Sequence, residues 1–161
     1  MLIEALTAIQ DWAPVADLRN SRWTYASVNT AHIVGFAILF GAILPMDLRL
    51  MGWWRSVPIA TFAHVLIPVS VAGLILAIIA GLMLFSIRAV QYAETTLFQF
   101  KMALVLCAVL NALLVRRAAQ WELMQTVVNA MPPLRLQAAG ALSIGLWLAV
   151  ITCGRMLAFL E

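Results

Sequence analysis

Charge is what this sequence has least of. Asp, Glu, Lys and Arg together make up 11% of 161 residues, against 65% hydrophobic. Soluble domains run at about a quarter charged and about half apolar. A water-soluble fold of this length cannot hide so much apolar surface, so the composition excludes a soluble globule and implies one solvated by lipid. Cysteine is nearly lacking: Cys107 and Cys153 are the two present. Both lie in apolar runs, where a thiol is expected to be buried and inert, and neither speaks to redox compartment. No metal-ligand spacing, catalytic triad or nucleotide loop stands out. A basic patch is lacking too. The net charge is +3, but the basic residues are scattered at helix ends without interleaved aromatics, which excludes a nucleic-acid partner. No internal repeat is visible, which speaks against an inverted-repeat transporter. Met1 to Ala13 has no basic start and is interrupted by Glu4 and Asp11, unlike a secretory signal. Leu2, Ile3, Leu6, Ile9 and Ala13 recur at helical spacing. They predict a short amphipathic helix over 1–13, lying on the membrane surface.

A spanning helix needs about 20 mostly apolar residues, and four segments qualify: 28–48, 58–87, 97–115 and 134–160. The expected fold class is therefore all-α, an integral membrane four-helix bundle in a single domain over 1–161. Pro68 is expected to kink the second span, and Pro132 and Pro133 to start the fourth. Small residues recur every fourth position: Gly73, Ala77 and Gly81; Ala103, Cys107 and Asn111; Ala141, Gly145, Ala149 and Cys153. Such stripes let helix backbones approach closely in lipid and suit a tight bundle or a homodimer. The first and third loops hold Arg49, Arg55, Arg116, Arg117 and Arg135; the N-terminal segment and second loop hold Arg19, Arg22 and Arg88. The positive-inside rule puts the richer side in the cytoplasm and both termini in the periplasm of a bacterial inner membrane.

Ionisable residues inside a membrane are costly and are the first functional candidates. His32, Lys101 and Arg155 fall near the outer ends of spans one, three and four. The uncharged run Met102–Val115 covers only about 21 Å at the helical rise, short of a core of roughly 30 Å. Lys101 therefore lies within the boundary or snorkels to it. These three groups are expected to gather as an outer cluster, a pocket for an anionic or polar group such as a haem propionate or quinone oxygen. Snorkelling of Lys101 and Arg155 to lipid phosphates is the plainer alternative. His64 falls near the opposite end, so one haem ligated by both histidines is disfavoured. Two haems, or one with a single histidine, stay open, as do structural roles for both. A zinc site would need more convergent ligands. Asp47 and Arg49 do not face each other on a helix. Arg49 reads as a topology anchor and Asp47 as a partner for Arg116 or Arg117. Met46 and Met51 raise a copper path, with core packing the plainer alternative.

The stretches Ala31-His32-Ile33-Val34-Gly35, Asp47-Leu48-Arg49-Leu50-Met51-Gly52, His64-Val65-Leu66-Ile67-Pro68, Phe98-Gln99-Phe100-Lys101-Met102, Leu110-Asn111-Ala112-Leu113, Leu146-Trp147 and Gly154-Arg155-Met156 carry a resemblance in their order and spacing. From about Asn29 onward the chain resembles a family of small, functionally uncharacterised four-helix bacterial inner-membrane proteins. That family is distantly similar to copper-resistance D-type membrane proteins and to HemJ-type protoporphyrinogen oxidases. The latter carry a histidine early in helix one and a lysine at the start of helix three, and bind haem b. His32 and Lys101 stand at the matching places, so the resemblance implies a haem- or porphyrin-binding bundle with His32 as the leading ligand. Relatives often carry a histidine at the end of helix three. Arg116 stands there in this chain, which removes a nitrogen ligand that would pair with His64.

The leading functional expectation is thus a b-type haem protein in redox chemistry or electron transfer with a lipid-soluble partner. His32 and His64 are its candidate iron ligands, and Lys101 and Arg155 its candidate propionate partners. A copper or small-solute permease and a non-catalytic subunit of a larger membrane complex are the alternatives.

Overall fold

The protein, described by a computed structural model over residues 1–127 and 129–160, is all-α. Positions 128 and 161 of the expected single domain lie outside the described residues. The elements are α1 (Leu2–Gln10), α2 (Ala13–Asn20), α3 (Arg22–Leu50), α4 (Ile59–Ile87), α5 (Ala89–Glu94), α6 (Thr96–Arg117), α7 (Ala119–Thr126) and α8 (Leu134–Leu160). Four of them, α3, α4, α6 and α8, are long and apolar enough to cross a membrane. The chain is a multi-pass membrane bundle.

The span bounds differ from the sequence expectation where caps decide them. The first span begins at Arg22 rather than Val28, because the Ser21 hydroxyl accepts from the Thr24 N–H at 3.3 Å and satisfies one orphan donor of the first turn. The third runs from Thr96 to Arg117, slightly beyond 97–115 at both ends. The second starts at Ile59 with Pro58 as its N-cap, and Pro68 sits inside it. The expected surface helix over 1–13 ends at Gln10, and a second short helix, α2, follows. Val15 and Leu18 of α2 pack on Ile87, Leu84 and Val28. Gln10 donates its side-chain N–H to the Ile87 carbonyl at 3.3 Å, partnering a carbonyl that the end of α4 leaves unpaired.

The long helices alternate in direction, and their order in space is α4, α3, α8, α6. Contact is most extensive between α3 and α4, then between α6 and α8 and between α3 and α8. No comparable contact joins α4 to α6. The α3–α4 seam is a backbone approach. A Cβ on Gly35 would lie 2.6 Å from the Ala77 nitrogen, and one on Gly73 would lie 2.5 Å from the Leu39 nitrogen. The other small-residue stripes are used less. Ala141 and Gly145 of α8 are not buried, and Ala103 and Cys107 of α6 are exposed. Cys107 therefore faces outward, against the expectation of a buried thiol.

The two flanking helices are tied at the end that carries the chain termini. There Phe85, Tyr92 and Phe98 form an aromatic trio, with Phe85 and Phe98 stacked at 5.4 Å. At the opposite end, Trp121 and Met124 of α7 are buried with Met46, Leu50, Ile59 and Leu136. Between these closures α4 and α6 leave a side opening.

Candidate functional site

Polar side chains of α3 point to different ends of the bundle. His32 is half-buried against α4, its Nδ1 2.8 Å from the Ala77 carbonyl oxygen. Since a carbonyl oxygen only accepts, that contact puts a proton on Nδ1. The ring fits because residue 81 is glycine. A Cβ there would lie 3.0 Å from the His32 Cε1. Lys101 is half-buried on α6 and lies within electrostatic reach of both His32 and Cys153. Its ammonium would be 3.7 Å from a Cβ on Gly154. His32 and Lys101 thus come together at the terminal end of the bundle. Arg155 does not join them. It is exposed, and its guanidinium lies 4.8 Å over the Phe159 ring, a cation–π arrangement.

His64 sits on α4 thirteen residues before Ala77, about 20 Å along the helix at its usual rise. The two histidines therefore serve different ends, and one iron cannot bridge them. His64 is exposed. It lines a cavity of about 720 Å³ with Thr61, Pro68, Arg116, Trp121 and Gln125. The walls come from α4, the end of α6 and α7. This volume falls in the range of pockets that take drug- or cofactor-sized ligands.

Deeper in the side opening is a second cavity, of about 190 Å³, which shares Ile67, Arg116 and Trp121 with the first. All four long helices contribute polar side chains to its wall: Asp47 from α3, Ser70 from α4, Asn111 and Arg116 from α6, and Ser143 from α8. The rest of its lining is mostly apolar, with Leu39, Met46, Leu74 and Trp147 among it. Asp47 is only 7% exposed. Ser143 stands beside its carboxylate on the cavity wall, while Oδ2 is buried without a partner. The expected pairing of Asp47 with Arg116 or Arg117 does not form, and no ion pair reaches Asp47 among the described residues. Both arginines are exposed at the end of α6.

Arg49 is also more than an anchor. It is fully buried and turns away from Asp47 into the loop that joins α3 to α4. Its Nε donates to the Val57 carbonyl at 2.8 Å and its Nη2 to the Arg55 carbonyl at 3.5 Å.

Among the described residues no three His, Cys, Asp or Glu side chains converge as a metal site would need. The residues that sequence reasoning undervalued are Ser70 and Ser143. Their signal is a polar side chain inside a span, at a depth where it is costly. No family model, curated protein or solved structure matches the chain.

Proposed function

We propose that the protein is a b-type haem carrier of the bacterial inner membrane, acting in redox chemistry with a lipid-soluble partner. The haem is assigned to the cavity between α4, α6 and α7. The observation that carries this reading is that His64 and Arg116 line one open pocket of about 720 Å³. His64 offers an imidazole nitrogen for the iron. Arg116 offers a guanidinium for a propionate, a group it recognises with paired N–H donors. Trp121, Pro68 and the apolar face of α4 suit a macrocycle. The donor set therefore fits one haem held by a single histidine. A haem held there by His64 and Arg116 would supply one-electron chemistry. Arg116 in place of the family's histidine then changes from a lost ligand to a propionate partner. The resemblance to haem-binding bundles supports the same class of ligand.

His32 is assigned to the α3–α4 seam, because its ring is wedged on Gly81 and its Nδ1 is committed to Ala77. Lys101 holds the outer end of α6 beside it. The first and third loops are assigned to the cytoplasm, where Arg55, Arg116, Arg117 and Arg135 favour them.

The test is the visible spectrum of detergent-purified protein from haem-replete cells, before and after dithionite, with a pyridine haemochrome assay. The expected result is a b-type reduced spectrum that His64→Ala removes and His32→Ala retains. A Soret band lost in His32→Ala but kept in His64→Ala would move the site to the His32 and Lys101 end. A featureless wild-type spectrum would end the haem reading.

A further inference from the structure

The Asp47 cavity poses a separate chemical problem. A carboxylate this deep in an apolar bundle is stable only with a proton or a cation beside it. Among the described residues no cation pairs with it. Arg49, two residues on, gives Nε and Nη2 to loop carbonyls and keeps a buried Nη1 without a partner, and Arg116, exposed on the cavity wall, makes no ion pair to Asp47. Oδ2 is left without a partner at a side chain that is 7% exposed. The carboxylate torsion is soft and roughly two-fold, so a turn about it presents either oxygen to the cavity.

Apart from Arg116, the polar side chains on the cavity wall beside Asp47 offer acceptors. Asn111 donates its Nδ2 to the Ala139 carbonyl at 3.0 Å, which leaves Oδ1 to accept. Ser70 donates to the Ile67 carbonyl at 2.8 Å, and its oxygen keeps lone pairs. Ser143 stands beside Asp47, and its hydroxyl oxygen has lone pairs to offer. Together they match a head group with several N–H donors. A bare calcium or magnesium ion would demand about six or more oxygens, which one carboxylate, one amide and two hydroxyls do not supply. The remaining wall is hydrocarbon and indole. Trp147 lines the cavity, and an indole face attracts a positive charge. The cavity, about 190 Å³, has room for a few heavy atoms beyond the head group.

We propose that this cavity is a binding site for a small organic ammonium. Its charged head rests on Asp47, with Ser70, Asn111 and Ser143 as further acceptors, and its hydrocarbon body lies against Leu39, Leu74 and Trp147. The ligand enters sideways between α4 and α6, where those helices do not pack.

The experiment is calorimetric titration of the detergent-purified full chain with n-butylammonium chloride. Titrations with n-butanol and with sodium chloride are the comparisons. The wild-type protein is expected to bind butylammonium saturably, to show no saturable heat with butanol, and to keep its butylammonium affinity in excess sodium. Asp47→Asn, nearly isosteric, is expected to weaken binding roughly tenfold or more. Val71→Trp places bulk at the cavity mouth from an exposed position on α4 and is expected to abolish it. Equal binding of butanol, displacement by sodium, or unchanged affinity in Asp47→Asn would each overturn the proposal. Should Asp47→Asn fail to fold, unchanged binding in Val71→Trp would overturn it alone. His64→Ala is expected to leave butylammonium binding intact, so loss of the haem reading and loss of this one are separately visible.

Discussion

Gly73→Leu is expected to drive α3 and α4 apart and to lower the stability of the detergent-solubilised bundle by about 3 kcal/mol or more. Gly145→Leu is expected to do almost nothing. The contrast follows from what each backbone meets. A Cβ on Gly73 would sit 2.5 Å from the Leu39 nitrogen, 2.8 Å from the Gly35 carbonyl oxygen and 3.0 Å from an Ile38 methyl. Two of those three atoms are backbone in a continuous helix, so no side-chain rotation relieves them. Overfilling a packed interior costs about 1–3 kcal/mol when side chains can yield, and here the helix itself must move. Lipid offers little compensation, since burying the added isobutyl group against protein rather than acyl chains gains almost nothing. A Cβ on Gly145 would meet no atom within 4 Å beyond its own helix backbone among the described residues, so a side chain added there projects outward. The measurement is the thermal unfolding midpoint of each variant in the same detergent. Equal midpoints for Gly73→Leu and wild type would mean that the α3–α4 seam does not hold the bundle together.

That pair of glycines also marks where sequence reading stops. The four spans were legible because each apolar run outlasts or nearly matches the thickness of a bilayer, and lipid forces such runs into helices. Their ends slipped by a residue or two where the helix ran past the apolar stretch, and by six at the start of α3, where Ser21 caps it. The short helices α2, α5 and α7 carry no such signal, because their lengths and compositions are those of ordinary connecting segments. Periodic glycines and alanines announced faces able to pack but not which partner each face meets. The Gly73 stripe is consumed by α3, while part of the α8 stripe stays outside. The same limit applies to the polar groups. Depth follows from counting residues along a helix, so His32 and His64 were readable as belonging to opposite ends. Rotation about the axis is harder to read. Gly154 faces Lys101, so the next residue, Arg155, is turned about 100° away and reaches Phe159 instead. Charge complementarity suggested Arg116 for Asp47. The arginine instead stays exposed, and the polar neighbour of the carboxylate is the neutral Ser143. Burying both charges would have been dearer than the attraction between them returns.

Arg49→Ala is expected to cost about 3 kcal/mol, the sum of a charged-donor contact and lost packing, and Arg49→Lys to recover little of it. The loop between α3 and α4 makes two departures from ordinary backbone, Gly52 at φ +99° and Trp54 at φ +47°. The second is uncommon for a bulky side chain, so something must hold it. Arg55 donates from Nε to the Gly52 carbonyl at 3.0 Å across the turn. Arg49 holds the far side through Val57 and Arg55. A hydrogen bond from a charged donor contributes about 1.5–3 kcal/mol, and the buried stem of the arginine adds packing. Alanine removes both and leaves the Val57 carbonyl without its donor at the edge of the Leu50, Ile59 and Trp121 cluster. Lysine restores charge but not the planar fork that addresses two carbonyls at once. Its compact ammonium also carries a heavier desolvation cost at a fully buried position. Arg49→Met separates the contributions, because it keeps the stem and loses every donor. If Arg49 holds the loop through hydrogen bonds, the methionine variant should unfold close to the alanine variant, and trypsin should cut faster after Arg55 in both. If the methionine variant instead matches wild type in midpoint and cleavage rate, packing of the stem holds the loop and the two carbonyl contacts contribute little.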